Sequence, residues 1–168
     1  MDSIWLKPHR VFQDLRAFLA HLESRGELKT IDVPVSPKLE ITEISRRVLE
    51  KRGPALLFTK ASDRGIRVLT NLFGTEERVA AAIGADSRDA LTELGKLLAA
   101  LRAPQPPKSI GEAWRSLPLL KEILNMAPKT VRSAPCQEVV VEGADVNLAD
   151  WPIQTCWPDD VGPLITWG

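Results

Sequence analysis

The chain ends in a short apolar segment that predicts a β-strand. Leu164, Ile165 and Trp167 are β-prone, and they follow a turn rich in Pro, Gly and Asp. A strand this short is normally paired and followed by a turn, but the sequence stops at Gly168. We therefore expect the chain to be the N-terminal portion of a longer protein, with much of that protein's chemistry located after Gly168.

Residues 1–128 alternate between helical and strand patterns. Apolar residues recur at helical spacing over about 11–24, 39–51, 91–101 and 109–128. Short apolar runs typical of strands lie at 28–33, 55–58 and 66–73. Thr75 is a predicted N-cap of one further short helix, which ends at Gly84. This alternation predicts an α/β domain built from packed layers.

The pattern changes near Lys129, where we place a domain boundary. Residues 137–142 contain three consecutive valines and predict a strand, which Gly143 ends. Beyond it, residues 148–157 carry only scattered polar residues and one proline. Residues 129–168 are therefore expected to be a connector and the first strands of a β-rich domain.

The composition excludes several classes of protein. The 22 basic residues are balanced by 22 acidic ones, and a net charge of zero argues against a nucleic-acid-binding surface. Residues 1–10 are too mixed for a secretory signal, and no apolar run approaches the ~20 residues of a membrane span. Cys136 and Cys156 are too few for a disulfide framework. We expect a cytoplasmic protein with both thiols reduced.

The histidines give little support to catalysis or metal binding. His9 lies near the N-terminus, and His21 lies between apolar positions of the first predicted helix. A structural role for His21 is favoured over a catalytic one, and two histidines are too few for a histidine metal cluster. The sequence also lacks the G-x-S-x-G, G-x-x-x-x-G-K and G-x-G-x-x-G motifs.

The cysteines and one acidic pair are the remaining candidates. Cys136 has no positively charged or histidine neighbour close in sequence that would make its thiol reactive. Cys156 lies in a loop of polar and aromatic residues that also contains Asp159 and Asp160. The two carboxylates could bind a cation, although a solvated turn is the more common role for such a pair.

Eight segments, in their order along the chain, resemble the UbiD-type decarboxylases. They are 22–29 (LESRGELK), 39–44 (LEITEI), 53–58 (GPALLF), 71–75 (NLFGT), 124–126 (LNM), 134–137 (APCQ), 155–158 (TCWP) and 163–168 (PLITWG). Phe18 and Leu19 before the first segment, and Lys108 after a Pro-Pro pair, belong to the same resemblance. The last two are similar to the branch that acts as 3-polyprenyl-4-hydroxybenzoate carboxy-lyases in ubiquinone biosynthesis. The resemblance covers the chain from about residue 11 onward.

The resemblance implies a fold and a chemistry. Residues 1–128 would be the N-terminal α/β domain, and residues 129–168 would begin a split β-barrel that binds flavin. The family decarboxylates aromatic or unsaturated acids with prenylated FMN, Mn²⁺ and often K⁺, and the cofactor carries the difficult step. Thr166 resembles a threonine that lines the flavin pocket, although a purely structural role is an equal alternative. The family's metal ligands and catalytic residues would follow Gly168, so we expect none within this chain.

Three functions remain open at this stage. The favoured one is the N-terminal part of a polyprenyl-hydroxybenzoate decarboxylase that is inactive as an isolated fragment and binds no cofactor tightly. The others are a decarboxylase of another aromatic acid and a non-catalytic binding or assembly module. The parent enzyme is expected to take a small aromatic acid, to form homo-oligomers and to bind no nucleic acid. Peripheral contact with the inner face of the cell membrane is a further expectation, because a polyprenyl substrate would reside in the bilayer.

Overall fold

The structure is a computed structural model, and it describes residues 12–85, 87–102, 128 and 130–166. Two compact units divide the chain, one formed by residues up to Glu93 together with those from Asn147 onward, the other by Leu94–Val146. The helices and strands are α1 (Leu15–Ser24), β1 (Leu28–Pro34), α2 (Glu40–Glu50), β2 (Ala55–Lys60), β3 (Val68–Thr70), α3 (Glu76–Ala82) and α4 (Asp89–Arg102). Short 3-10 turns follow at Pro135–Gln137, Gly143–Asp145 and Leu148–Asp150.

One mixed sheet organises the first unit. Its strand order is β1-β2-β3, with β1 and β2 parallel and β2 and β3 antiparallel. The parallel pair places Leu28 beside Ala55 and requires a crossover, which α2 provides. β2 is the central strand, and its buried residues are apolar because both faces of the sheet are covered there.

The core consists of two apolar clusters. One contains Ile41 of α2 with Leu56 and Phe58 of β2, and it includes Val35, Ala61 and Val68. The other contains Phe18 and Leu22 of α1 with Ala55. Burial of each large side chain, such as Leu22, Ile41 or Phe58, stabilises the fold by roughly 1.5–3 kcal/mol.

Local residues determine where α1 begins and ends. Asp14 caps α1, since its Oδ1 accepts the Ala17 N–H at 2.8 Å, and the helix therefore begins at Leu15 rather than near residue 11. At the other end Gly26 has φ +70°, and the N–H of Glu27 donates to Leu22 O at 2.8 Å. This left-handed glycine and the reverse hydrogen bond terminate the helix.

The α/β prediction is confirmed as a mixed fold with a small sheet. Thr75 begins α3 as predicted, because its side chain accepts the Arg78 N–H. The strand predicted at 66–73 is shorter, Val68–Thr70. The helical pattern predicted at 109–128 and the boundary at Lys129 lie outside the described residues, apart from residue 128 itself.

The strand predicted at 137–142 is wrong. A 3-10 turn occupies Pro135–Gln137, and Val139, Val140 and Val141 are exposed without strand structure. β-propensity expresses packing on a pleated, half-buried surface, and among the described residues no strand pairs with this segment. Residues 163–166, expected to begin the last strand, also form none, although Leu164 N–H donates to Gln154 O at 3.1 Å. Within the described ranges, no helix is both long and apolar enough to cross a bilayer.

Candidate functional site

The segment that carries the predicted flavin contact is attached to the turn before α2. Thr155 N–H donates to Pro37 O at 3.2 Å, and Leu39 N–H donates to Thr155 O at 2.8 Å. The two hydrogen bonds form a parallel bridge between Lys38 and Thr155. Thr155 is buried there, with 9% of its surface exposed. A shallow cleft of about 380 Å³ lies along this junction, with Ile153 and Pro163 among its lining residues.

Thr166, the predicted cofactor-binding residue, is exposed at the end of the described chain. Leu164 and Ile165 before it are also exposed, with 44% and 75% of their surfaces accessible. The described part of the chain therefore does not enclose a flavin at this position. Thr166 offers one hydroxyl that can donate or accept a hydrogen bond. Trp167 and Gly168, expected as packing and close-approach positions, lie outside the described residues.

Asp160, one member of the acidic pair in the loop before Thr166, has a structural role. Asp160 Oδ2 accepts the N–H groups of Cys156 and Trp157, each at 2.9 Å. This side chain closes the loop on its own backbone, which is the common role of aspartate in turns. Among the described residues no group of three His, Cys, Asp or Glu side chains could hold a metal ion. The described residues therefore offer no ligand set for the manganese of the family, whose ligands the resemblance places after Gly168.

The two cysteines lie in different surroundings. Cys136 is exposed in the Pro135–Gln137 turn, and Cys156 is half-buried in the loop that Asp160 closes. Both are free thiols.

His21 of α1 packs against Phe12, which lies before this helix and also contacts Phe18. Its ring centroid lies 5.2 Å from that of Phe12, and Phe12 lies 5.0 Å from Phe18. His21 and Phe12 line a cleft of about 380 Å³ whose rim includes Arg25 and Glu77. The ring contacts support the structural role predicted for His21, while His9 lies outside the described residues.

A buried arginine was not anticipated from the sequence. Arg78 is 2% exposed, and its guanidinium donates to Leu72 O at 3.2 Å, Gly53 O at 3.0 Å and Asn71 O at 3.2 Å. Burial lowers the pKa of Arg78, and Glu27 and Glu77 act in the opposite direction. Because all three acceptors are backbone carbonyls, the side chain fixes the loop at residues 71–75 rather than offering a free cation.

Two family models match the chain, one after the other. The model for the N-terminal domain of 3-octaprenyl-4-hydroxybenzoate carboxy-lyase matches residues 19–98. The model for the Rift-related domain of the same enzyme matches residues 129–168. Leu39 lies in the first matched range and Thr155 in the second, so the hydrogen bond between them joins residues of the two matches.

The chain is also similar to parts of longer solved enzymes. The UbiD-class enzyme HmfF from Pelotomaculum thermopropionicum, in complex with FMN, is 27% identical with a TM-score of 0.60, over 88% of this chain and 28% of that chain. The vanillic acid decarboxylase of Sedimentibacter hydroxybenzoicus is 26% identical with a TM-score of 0.63, over the same shares. An evolved dimeric form of HmfF in complex with prFMN is 33% identical over 56% of this chain and 21% of its own, with a TM-score of 0.46. This chain thus spans less than a third of each.

Proposed function

The chain belongs to the UbiD family of carboxy-lyases, and we propose that it is the N-terminal part of a decarboxylase that uses prenylated FMN. The observation that carries this proposal is the order of the two matches, an N-terminal domain at residues 19–98 followed by a Rift-related domain at residues 129–168. The similarity to HmfF in complex with FMN supports a flavin cofactor.

The proposed substrate is a 3-polyprenyl-4-hydroxybenzoate, as in ubiquinone biosynthesis. The descriptions of both family models support this choice. A second candidate is another aromatic acid, and the similarity to a vanillic acid decarboxylase favours it. Both candidates require loss of carbon dioxide from an aromatic acid, so they differ in substrate and not in reaction class.

Within this chain we propose a supporting role and no catalytic residue. The cofactor, when bound, would act as the electron sink for decarboxylation. Thr166 would contribute one hydroxyl to the flavin pocket. The metal ligands for manganese, and for potassium where it is used, would come from a part of the parent protein that follows this chain. No catalytic step is assigned to residues 1–168.

The test is an assay of the full-length protein encoded by the reading frame that contains this chain. The protein would be produced together with a source of prenylated FMN and incubated with an octaprenyl-hydroxybenzoate, vanillate or unsubstituted benzoate. Release of carbon dioxide from the first substrate alone would support the favoured proposal, and release from vanillate would support the second candidate. The isolated chain 1–168 is the matched control, and we expect it to be inactive.

A non-catalytic assembly module is the remaining alternative, and one observation favours it. Apolar side chains near the end of the chain are exposed, including Val161 at 97% and Ile165 at 75%. Isolated 1–168 that dimerises as its concentration rises, from a reading frame that stops at Gly168, would support this alternative. A decarboxylase activity of the full-length product would exclude it. Cytoplasmic location, homo-oligomer formation and membrane contact stay predictions.

A further inference from the structure

The junction between Leu39 and Thr155 is a defined backbone contact. We name its two hydrogen bonds, Leu39 N–H to Thr155 O at 2.8 Å and Thr155 N–H to Pro37 O at 3.2 Å, the Leu39–Thr155 clasp. The clasp joins residues 116 positions apart (155 − 39). It therefore connects the stretch matched by the N-terminal domain model to the stretch matched by the Rift-related domain model.

Leu39 has an unusual backbone conformation at this junction. Its φ is +67° and its ψ is −36°, which residues with a side chain rarely adopt. Leu39 also occupies the N-cap position of α2 without giving the helix a side-chain cap. Such a conformation persists only where the surroundings determine it. Here the clasp does so, together with the hydrogen bond from Ser36 N–H to Glu40 Oε2 at 2.8 Å.

The chain from Thr155 to Thr166 is held by further internal contacts. The Asp160 carboxylate closes the loop that follows Thr155, and Leu164 N–H donates to Gln154 O at 3.1 Å. These bonds fix the path between the clasp and Thr166. A change in register at the clasp would therefore displace Thr166.

We propose that the Leu39–Thr155 clasp is a positioning contact for the flavin. It sets the register of residues 153–166 on the N-terminal α/β unit and so holds Thr166 where the cofactor is bound. Leu39 and Thr155 act through the backbone and are positioning residues, not catalytic ones. This inference rests on the proposed function, because it requires that the parent enzyme binds flavin near Thr166.

Thermodynamic linkage gives a test that needs no variant. If the clasp supports flavin binding, flavin must stabilise the clasp by the same factor. In the full-length protein, saturating FMN is expected to slow hydrogen exchange at the amides of Leu39 and Thr155 about tenfold or more. Exchange in the central strand Ala55–Lys60 is expected to change much less. Unchanged exchange at the two clasp amides, in protein that binds FMN, would overturn the proposal.

Two variants of Thr155 separate the effect of its backbone hydrogen bond from the effect of its side chain. Thr155→Pro removes the N–H that donates to Pro37 O, whereas Thr155→Val keeps both clasp bonds and a side chain of similar shape. We expect Thr155→Pro to weaken FMN binding about tenfold or more, and Thr155→Val to stay within about twofold. Leu39→Gly keeps its N–H and tolerates the positive φ, so it should bind FMN like the wild type.

The outcomes separate a positioning role of the clasp from a general effect on stability and from a failure of the proposed function. Thr155→Pro that binds FMN like the wild type would overturn the positioning role. Loss of FMN binding accompanied by equally faster exchange in Ala55–Lys60 would also overturn it, because the contact would then be merely structural. Wild-type full-length protein that does not bind FMN would overturn the proposed function, and the positioning role with it. Should Thr155→Pro not fold, the exchange measurement on the wild type decides.

Discussion

Nη2 of Arg78 donates to the carbonyl oxygen of Gly53 at 3.0 Å, across 25 residues of sequence. The same guanidinium holds Leu72 O and Asn71 O, so one side chain joins the start of α3, the loop at 71–75 and the turn after α2. Asn71 also joins this loop to α2, since its Nδ2 donates to Ser45 O at 2.8 Å. The NLFGT segment is thus a loop that hydrogen bonds organise around a buried cation.

Replacement of this arginine should destabilise the fold strongly. Arg78→Met removes the side-chain donor to three backbone carbonyls, of which Asn71 O keeps the Gly74 N–H at 3.0 Å. We expect the free energy of unfolding to fall by about 3 kcal/mol. Arg88→Met is the control, because the Arg88 side chain is 72% exposed and forms a surface ion pair with Glu76 at 3.0 Å. That change should stay within about 0.5 kcal/mol. Urea unfolding followed by far-ultraviolet circular dichroism measures both, and equal losses in the two variants would contradict the prediction.

Gly74 should be intolerant of even a methyl group. A Cβ at this position would lie 2.7 Å from Arg78 Nη2 and 3.0 Å from Leu49 Cδ1. We expect Gly74→Ala to cost about 1–3 kcal/mol, because the guanidinium cannot move without losing its carbonyl partners. Gly95→Ala is the matched control: nothing lies within 4 Å of its Cβ position in α4, so alanine should stabilise that helix by about 0.5–1 kcal/mol. Thermal unfolding of the two variants should therefore shift in opposite directions.

The elements with local signals could be predicted from the sequence. Thr75 begins α3 because a threonine side chain at that position accepts the Arg78 N–H, and Ile41 is fully buried on the predicted apolar stripe of α2. Both predictions rest on sequence signals that lie within one or two helical turns. The family was likewise accessible, because its short motifs can be read without knowledge of contacts between distant residues.

The features that depend on distant partners could not be predicted. Arg78 follows two glutamates in a first helical turn, which is typical of a solvated charge, and its burial depends on carbonyls far along the chain. Leucine is disfavoured at positive φ, so no local signal marked Leu39 as the residue that meets Thr155. The valines at 139–141 carried a strong local β-signal, but a strand also requires a neighbour. The role of Thr166 stays a prediction, since a flavin pocket needs walls that the described residues do not supply.

Acid should weaken one ion-pair network on α2. Hydrogen bonds from Arg46 and then Arg47 lower the pKa of Glu43 from its usual 4.5 to about 2. A folded-state pKa below the unfolded one stabilises the fold above the unfolded pKa, and this stabilisation is lost as the pH falls from about 4.5 towards 2. The group is exposed, so the effect should be small and reduced by salt.

The expected result is a pH-dependent difference between variants. Glu43→Gln should lower the urea midpoint at about pH 6 and have almost no effect near pH 2, where the wild-type carboxylate is also becoming neutral. Glu23→Gln, on the exposed side of α1, controls for the loss of one negative charge. An effect of Glu43→Gln that is equal at both pH values would show that the ion pairs with Arg46 and Arg47 are not its cause.

The acidic pair before Thr166 allows a test of whether its carboxylates stabilise the loop or bind a metal ion. Asp160 accepts the N–H groups of Cys156 and Trp157, whereas Asp159 beside it is exposed. Asp160→Ala should therefore speed hydrogen exchange at the amides of Cys156 and Trp157 by about tenfold, the equivalent of about 1.4 kcal/mol, and Asp159→Ala should leave both rates almost unchanged. Because the carboxylate is already engaged by two backbone donors, added Mn²⁺ should not alter these rates. Equal effects of the two substitutions, or amide protection that appears only with Mn²⁺, would instead favour a cation site made by the pair.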